Sequence, residues 1–242
     1  MLTVRKSCDR GHADHGWLRS LHSFSFAGYR DPRYMGFGNL RVLNEDWIAP
    51  GAGLGQHGYR DLEILSYVVS GELASRDCSG RVQSVPAGCV QRMGAGAGTT
   101  CAEFNPLPDR AAHYLQIWID PAPRDRAPDG AQVPGPARRP AGRLHLLAAP
   151  AHAALDGPAE PSGPVLAVQA DVRLHAGLFD GPQAAELPLD PARKCYVHLL
   201  RGSLEANGHP LAAGDAVFML QEECLRLGRG SAAEVLVFDL AA

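Results

Sequence analysis

Two stretches, SYVVSGELASRDCSGRVQSVPAGC at residues 66–89 and YVHLLRGSLEANGHPLAAGD at residues 196–215, follow the same pattern. In each, an apolar, β-branched run leads to a glycine, Gly71 or Gly202, and then to a second strand, a tight turn and a third strand. Self-similarity of this kind indicates a duplicated structural unit. The repeat therefore predicts two similar β-barrels in tandem.

The regions around these stretches support an all-β chain. From about residue 37 to 120, short β-branched or aromatic runs alternate with glycine and proline, which is typical of an antiparallel barrel or sandwich. The same pattern resumes after residue 165, and no long segment carries a helical period. We therefore expect an N-terminal barrel at residues 1–120 and a C-terminal barrel at residues 165–242.

The segment between the two predicted barrels differs in composition. Residues 121–164 hold ten of the 19 prolines, so we expect a linker or a long irregular excursion there. Within it, the run RLHLLAAPAH has the character of a strand. We expect that strand to pair with one of the flanking domains.

Charge and targeting signals limit the possible partners and location. The formal net charge is −3, and no block of five like charges occurs, so neither a nucleic-acid surface nor a membrane anchor is indicated. The N-terminal residues lack the apolar core of a signal peptide, and no run approaches the ~18 apolar residues of a spanning helix. We expect a cytoplasmic protein without CxxC pairs or disulfides, whose partners are small molecules or proteins that the sequence does not identify.

Four segments together resemble the pirin family of bicupins, which includes bacterial quercetin 2,3-dioxygenases. They are HSFSFAGYRDPRYMGFGNLRVLNED, HGYRDLEILSYVVSGEL, VPAGCVQRMGAGAG and CAEFNP, and the similarity runs in register from about residue 10 to 120. In the second half it is weaker and depends on NGHPLAAGD and EVLVFDL. The resemblance implies two tandem cupin barrels, each a double-stranded β-helix, of which the C-terminal one is degenerate.

The resemblance also implies a metal site in the N-terminal barrel. In the family, three histidines and a glutamate hold one metal ion, and these positions correspond here to His57, Tyr59, Cys101 and Glu103. His57 and Glu103 match the pattern, whereas Tyr59 and Cys101 depart from it. The family's metal chemistry therefore does not transfer directly to this chain.

The residues at these positions leave the metal question open. Both pairs keep the i, i+2 spacing that directs two side chains of one strand into a barrel. Imidazole, thiolate and carboxylate could hold one divalent transition metal (Fe, Zn, Cu or Ni), but tyrosine is a weaker ligand because its phenol must first ionise. Alternatively, no metal binds and a hydrogen bond between Tyr59 and Glu103 fills the cavity. A third possibility, a covalent link between Tyr59 and Cys101, would need a redox metal.

Two hypotheses for function follow, and the sequence leaves open whether the protein is an enzyme. The first is a metal-dependent dioxygenase for a flavonol-like substrate with weak or altered activity, in which Glu103 also acts as general base and Tyr59 is a ligand or hydrogen-bond donor. The alternative is a metal-free cupin that senses a small ligand or docks on a protein partner. Metal content distinguishes the two.

Other polar residues are assigned structural roles. We expect Glu63 to support the site through hydrogen bonds rather than to bind metal. His113 and Gln116 lie on opposite faces of one predicted strand, and we assign His113 a structural hydrogen bond. The histidines near the N-terminus fit no common zinc spacing, so we expect that segment to pair with the first barrel.

Overall fold

The computed structural model describes residues 1–121, 129–151 and 163–242. This part contains twenty strands and two short 3₁₀ helices, Ser7–Asp9 and Pro136–Arg138, and neither is long and apolar enough to cross a membrane. The strands are β1 Leu2–Arg5, β2 Gly11–Asp14, β3 Leu18–His22, β4 Leu40–Ile48, β5 Gly53–Tyr59, β6 Glu63–Ser70, β7 Glu72–Asp77, β8 Val82–Pro86, β9 Cys89–Gly94, β10 Thr99–Phe104, β11 Ala112–Ile119, β12 Asp129–Pro134, β13 Leu144–Pro150, β14 Leu166–Val168, β15 Val172–Phe179, β16 Ala185–Pro188, β17 Lys194–Ala206, β18 His209–Ala212, β19 Ala216–Leu220 and β20 Cys224–Leu240. The predicted all-β class is confirmed.

The chain divides into two compact units whose boundaries differ from the predicted ones. The N-terminal barrel comprises the described parts of residues 10–134 and residues 168–170. The C-terminal barrel comprises residues 1–9, the described parts of 135–167 and residues 171–242. The first nine residues belong to the C-terminal barrel because β1 pairs with β19. An unpaired edge strand leaves backbone groups without partners, so this pairing satisfies the edge.

The proline-rich segment is more ordered than the sequence predicts. Strand β12 pairs with β9 in the N-terminal barrel, and β13, which lies within the run RLHLLAAPAH at Leu144–Pro150, pairs with β15 in the C-terminal barrel. The segment therefore adds a strand to the sheet of each unit, with β12 at the edge of one sheet and β13 between β15 and β14 in the other. Residues 122–128 and 152–162 of the predicted linker lie outside the described part.

Two sheets build the N-terminal barrel. One has seven strands in the order β12-β9-β6-β11-β4-β3-β2, and the other has four in the order β5-β10-β7-β8. Neighbouring strands are antiparallel, and β3 pairs with β4, as expected for the N-terminal histidine-containing segment. Because side chains alternate along a strand, one face of each sheet supplies the barrel interior.

The C-terminal barrel is built on a nine-stranded sheet. Its order is β1-β19-β17-β20-β15-β13-β14, with β16 paired to β20 and β18 paired to β17. The two long strands β17 and β20 pair along much of their length with three register shifts. Such irregularities bend strands, which lets two long strands serve a closed barrel.

The glycines that mark the sequence repeat occupy equivalent positions with positive φ. Gly71 has φ +75° and Gly202 has φ +70°. A Cβ atom would lie 2.4 Å from the carbonyl oxygen of Ala111 at the first position and 2.1 Å from that of Ser231 at the second. Only glycine satisfies both the backbone angle and the close approach of a neighbouring strand.

Candidate functional site

The four candidate residues lie on the adjacent antiparallel strands β5 and β10. His57 is directly opposite Cys101, and Tyr59 is opposite Thr99. The register shifts between Cys101 and Glu103, and β7 pairs with the other edge of β10. Residues opposite one another share a face of the sheet, so the two i, i+2 pairs meet on the inner side of the N-terminal barrel.

A chain of hydrogen bonds joins three of these side chains. The Tyr59 hydroxyl lies 2.6 Å from His57 Nε2 and 3.1 Å from Glu103 Oε2, whereas His57 Nε2 and Glu103 Oε2 are 3.8 Å apart. Gln116 Nε2 donates a further bond of 2.8 Å to the same Glu103 oxygen. The phenol oxygen therefore bridges the imidazole and the carboxyl group.

The protonation of this chain follows from its outer end. His57 Nδ1 lies 2.8 Å from the carbonyl oxygen of Gly55, which can only accept, so Nδ1 carries a proton. A neutral imidazole then accepts a bond from Tyr59 at Nε2, while a charged one donates to Tyr59, which in turn donates to Glu103. Because His57 is partly exposed and Glu103 is buried, the chain connects a buried carboxyl group to the surface.

Burial disfavours the charged forms of the inner groups. It raises the pKa of Glu103 above its ordinary value, although His57, Tyr59 and Gln116 act in the opposite direction. Burial, with the Glu103 charge as a smaller contribution, also raises the pKa of the Tyr59 hydroxyl well above its usual range. Tyr59 is therefore a neutral phenol in this arrangement.

Cys101 lies beside the chain of hydrogen bonds. Like the other five cysteines it is a free thiol, and it packs with Tyr59, Ile64 and Ala95 in a buried cluster. Burial, followed by the Glu103 charge, raises the pKa of its thiol to about 12. It is therefore a neutral thiol at ordinary pH, with low nucleophilic reactivity.

A second buried acid lies behind the site. Asp46 on β4 is opposite Ser20 on β3 and Tyr114 on β11, and Ser20 hydrogen bonds to it. Burial, with a contribution from the Glu103 charge, raises the pKa of Asp46 to about 7. Two carboxyl groups thus share the interior of this barrel, and each disfavours ionisation of the other.

Cys101 and Glu103 open onto a cavity of about 370 Å³. Its volume is within the range of small-molecule sites in proteins, which is ~300–1,000 Å³. Most of its lining is polar and comes from both sheets and the loops beside them. The lining residues are Ile64, Ser66, Ser75, Asp77, Arg81, Gln83, Gln91, Arg92, Met93, Gly94, Thr99, Cys101, Glu103, Asp129 and Gly130.

The other polar residues considered from the sequence have structural partners. Glu63 forms a buried ion pair with Arg92 at 2.8 Å, and His113 Nε2 lies 2.9 Å from Glu45. Near the N-terminus, His22 Nδ1 lies 2.9 Å from Asn44 Oδ1. Glu63 therefore supports a cavity-lining arginine. The two histidines instead form contacts with residues of β4 within the seven-stranded sheet.

The arrangement of His57, Tyr59, Cys101 and Glu103 does not fit a four-ligand metal centre. The Tyr59 hydroxyl lies within hydrogen-bonding distance of the two atoms that would bind the ion, and the phenol and thiol are both neutral. Metal ligands must be deprotonated, so an ion would have to displace these protons and separate these contacts. In residues 1–121, 129–151 and 163–242, no group of three His, Cys, Asp or Glu side chains is placed to hold a metal ion.

Comparison with known proteins places this barrel in a family. Residues 2–119 match the Pirin family model, and residues 158–240 match the model of the quercetinase C-terminal cupin domain. A quercetin 2,3-dioxygenase of Escherichia coli K12 is 35% identical over 240 residues, which cover 99% of each chain. This chain belongs to the pirin family. The expected bicupin fold and the resemblance on which it was based are confirmed.

Two further relatives are similar to this chain over nearly its full length. A putative quercetin 2,3-dioxygenase of Pseudomonas aeruginosa is 36% identical over 99% of this chain and 100% of its own length. The crystal structure of the bacterial pirin YhhW from Escherichia coli, in complex with nickel(II), is 35% identical with a TM-score of 0.90. It covers 100% of this chain and 99% of the relative. A nickel-containing pirin thus shares this fold over the full length.

Sequence reasoning missed several polar residues of the interior. Gln116 was placed on a strand but not in the site, and Asp46, Ser66 and Gln91 were not singled out. Each is a polar residue within a largely apolar strand, and that interruption is the signal by which they could have been found. Its meaning depends on which face points inward, which the pairing of the strands determines.

Proposed function

We propose that this pirin-family protein binds a small molecule in its N-terminal barrel and does so without a resident metal ion. One observation carries the proposal: the Tyr59 hydroxyl bridges His57 and Glu103 at 2.6 and 3.1 Å. A neutral phenol in that position satisfies both groups by hydrogen bonding. Together with Gln116 it forms a paired polar network, which stabilises a buried site more than isolated polar groups do.

The cavity beside Cys101 and Glu103 supplies the binding site. Its polar lining and volume fit a flavonol-like compound, a class that the relatives described as quercetin 2,3-dioxygenases support. In this proposal Glu103 is the hydrogen-bonding group at the inner end of the cavity. The chain through Tyr59 to His57 holds its carboxyl group in place and provides a route for its proton.

A second candidate function is a flavonol dioxygenase with weak or altered activity. The 35% identity to a quercetin 2,3-dioxygenase and the nickel complex of YhhW favour it. In that case His57, Cys101 and Glu103 would hold the ion, with Tyr59 as a fourth ligand or a hydrogen-bond donor. The required loss of two protons and rearrangement of the network make this the weaker proposal.

Elemental analysis distinguishes the two candidates. The protein should be purified without a metal-affinity column and analysed before and after incubation with nickel, iron, copper and zinc. We expect far less than one equivalent of metal and no oxygen consumption with quercetin, while quercetin binding remains measurable by calorimetry. One equivalent of metal together with quercetin-dependent oxygen consumption would establish the dioxygenase instead.

A further inference from the structure

A row of polar side chains crosses the inner face of the seven-stranded sheet. Gln91 on β9 is opposite Ser66 on β6, and Ser66 is opposite Gln116 on β11. Gln116 donates to Glu103 and is therefore part of the network already described. Ser66 and Gln91 instead line the cavity.

Ser66 and Gln91 are buried without partners. Ser66 is 4% exposed and Gln91 is 8% exposed. In the described part of the chain, neither side chain forms a hydrogen bond with another protein group. Both side chains line the cavity, so their hydrogen-bonding groups are available to whatever fills it, and two such neighbours indicate a ligand that offers hydrogen bonds.

The adjacent pair along the same strands is apolar. Ile64 and Met93, two residues before Ser66 and two after Gln91 on their strands, are also opposite each other and line the cavity. A branched aliphatic chain and a thioether offer a suitable surface for a flat ring, and methionine sulfur interacts favourably with aromatic groups. One wall of the cavity is therefore apolar at Ile64 and Met93 and hydrogen-bonding at Ser66 and Gln91.

The charged residues of the lining argue against an anionic ligand. Arg92 contacts two carboxylates, Glu63 and Asp129, so its positive charge is already compensated. The exposed Arg81 lies in the same lining as two further acids, Asp77 and Glu103. The lining therefore offers no uncompensated positive charge to an anion.

We propose that Ser66 and Gln91 are the specificity-determining pair of this cavity and recognise the hydroxyl groups of a hydroxylated aromatic compound whose ring packs on Ile64 and Met93. The Gln91 amide can donate and accept at once, and the Ser66 hydroxyl can do either. This proposal rests on the proposed small-molecule function and adds the residues that select the ligand.

Calorimetry with two matched probes tests the pair. Quercetin carries hydroxyl groups, whereas unsubstituted flavone has the same ring skeleton without them. We expect the wild-type protein to bind quercetin more tightly than flavone. Ser66→Ala and Gln91→Met should each weaken quercetin binding by roughly three- to tenfold, the equivalent of one lost hydrogen bond, and leave flavone binding unchanged.

An exposed residue provides a control of the same type. Ser84→Ala on β8 replaces a side chain that does not line the cavity, and this variant should bind quercetin like wild type. Thermal melting verifies folding, and Ser66→Ala removes only one atom, so at least one test variant should be folded. The proposal would be overturned if a folded test variant bound quercetin as tightly as wild type does. It would also be overturned if wild type bound quercetin and flavone with equal affinity. Neither result bears on the metal content, which tests the proposed function separately.

Discussion

The two barrels share the strand–glycine–strand repeat but fill their interiors differently. The C-terminal barrel encloses one large cluster of buried apolar side chains, which includes Phe179, Val197 and Met219. The N-terminal barrel has smaller apolar clusters, and between them buried polar side chains lie on β4, β6, β9, β10 and β11. These side chains are Asp46, Ser66, Gln91, Glu103 and Gln116.

The apolar interior of the C-terminal barrel favours stability, whereas the polar interior of the N-terminal barrel favours ligand binding. Burial of apolar surface is the dominant favourable contribution to folding, and buried polar groups are unfavourable unless they are paired. A barrel that keeps a polar interior and a cavity therefore gives up part of that stabilisation. Since function depends on the site rather than the fold, the N-terminal barrel is where a ligand should be sought.

The largest expected effect tests the apolar interior. Phe179→Ala in the C-terminal barrel should lower the free energy of unfolding by about 3–5 kcal/mol, because it leaves a cavity in a closely packed cluster. Met93→Ala, beside the cavity of the N-terminal barrel, should cost less because that side chain is only partly enclosed. Urea unfolding measures both, and equal losses would remove the contrast between the barrels.

The second prediction converts the polar interior into a metal site. The double variant Tyr59→His with Cys101→His supplies three imidazoles and Glu103, and it should bind close to one equivalent of nickel. Free metal at about 100 times Kd should stabilise the fold by about 2.7 kcal/mol, measured by thermal melting with and without nickel.

Each single variant is a control and should respond less, because one altered ligand remains. The double variant also tests whether only the ligands have diverged. A folded double variant that stays free of nickel would show that residues around the ligands prevent metal binding.

The third prediction removes the bridging hydroxyl. Tyr59→Phe leaves His57 Nε2 and Glu103 Oε2 at 3.8 Å without the group that joins them, and should cost about 1–3 kcal/mol of stability. Thr100→Val is the control: it removes an exposed hydroxyl from β10 and should change stability by less than about 0.5 kcal/mol. A cost for Tyr59→Phe as small as that of the control would mean that the bridge contributes little.

The smallest effect, taken per pH unit, is the dependence of stability on pH. The pKa of Asp46 is about 7 in the folded protein and about 3.9 in an unfolded chain, so the folded state binds more protons between these values. Stability should therefore fall as pH rises from about 4 to about 7, by at most about 1.4 kcal/mol per pH unit for this group, and level off above 7. Asp46→Asn should flatten the slope, as measured by urea unfolding across this range, and an unchanged slope would assign it to other groups.

Much of the fold was predictable from local patterns. Alternating apolar runs and turn residues indicated strands, and the repeat around Gly71 and Gly202 indicated two barrels, because strand periodicity and glycine positions are local properties. The i, i+2 spacing also placed His57 with Tyr59 and Cys101 with Glu103 on common faces. That residues 1–9 belong to the C-terminal barrel was not predictable, because β1 pairs with β19, which lies more than 200 residues away in the sequence.

The sequence by itself determined the strands, the duplication and the four side chains at the candidate site. Only the tertiary structure decided that the Tyr59 hydroxyl bridges His57 and Glu103, and that Gln116 completes the network while Ser66 and Gln91 face a cavity. The physical reason is that strand pairing and register are non-local. They set which polar side chains become neighbours, and burial among those neighbours then sets the protonation of each group.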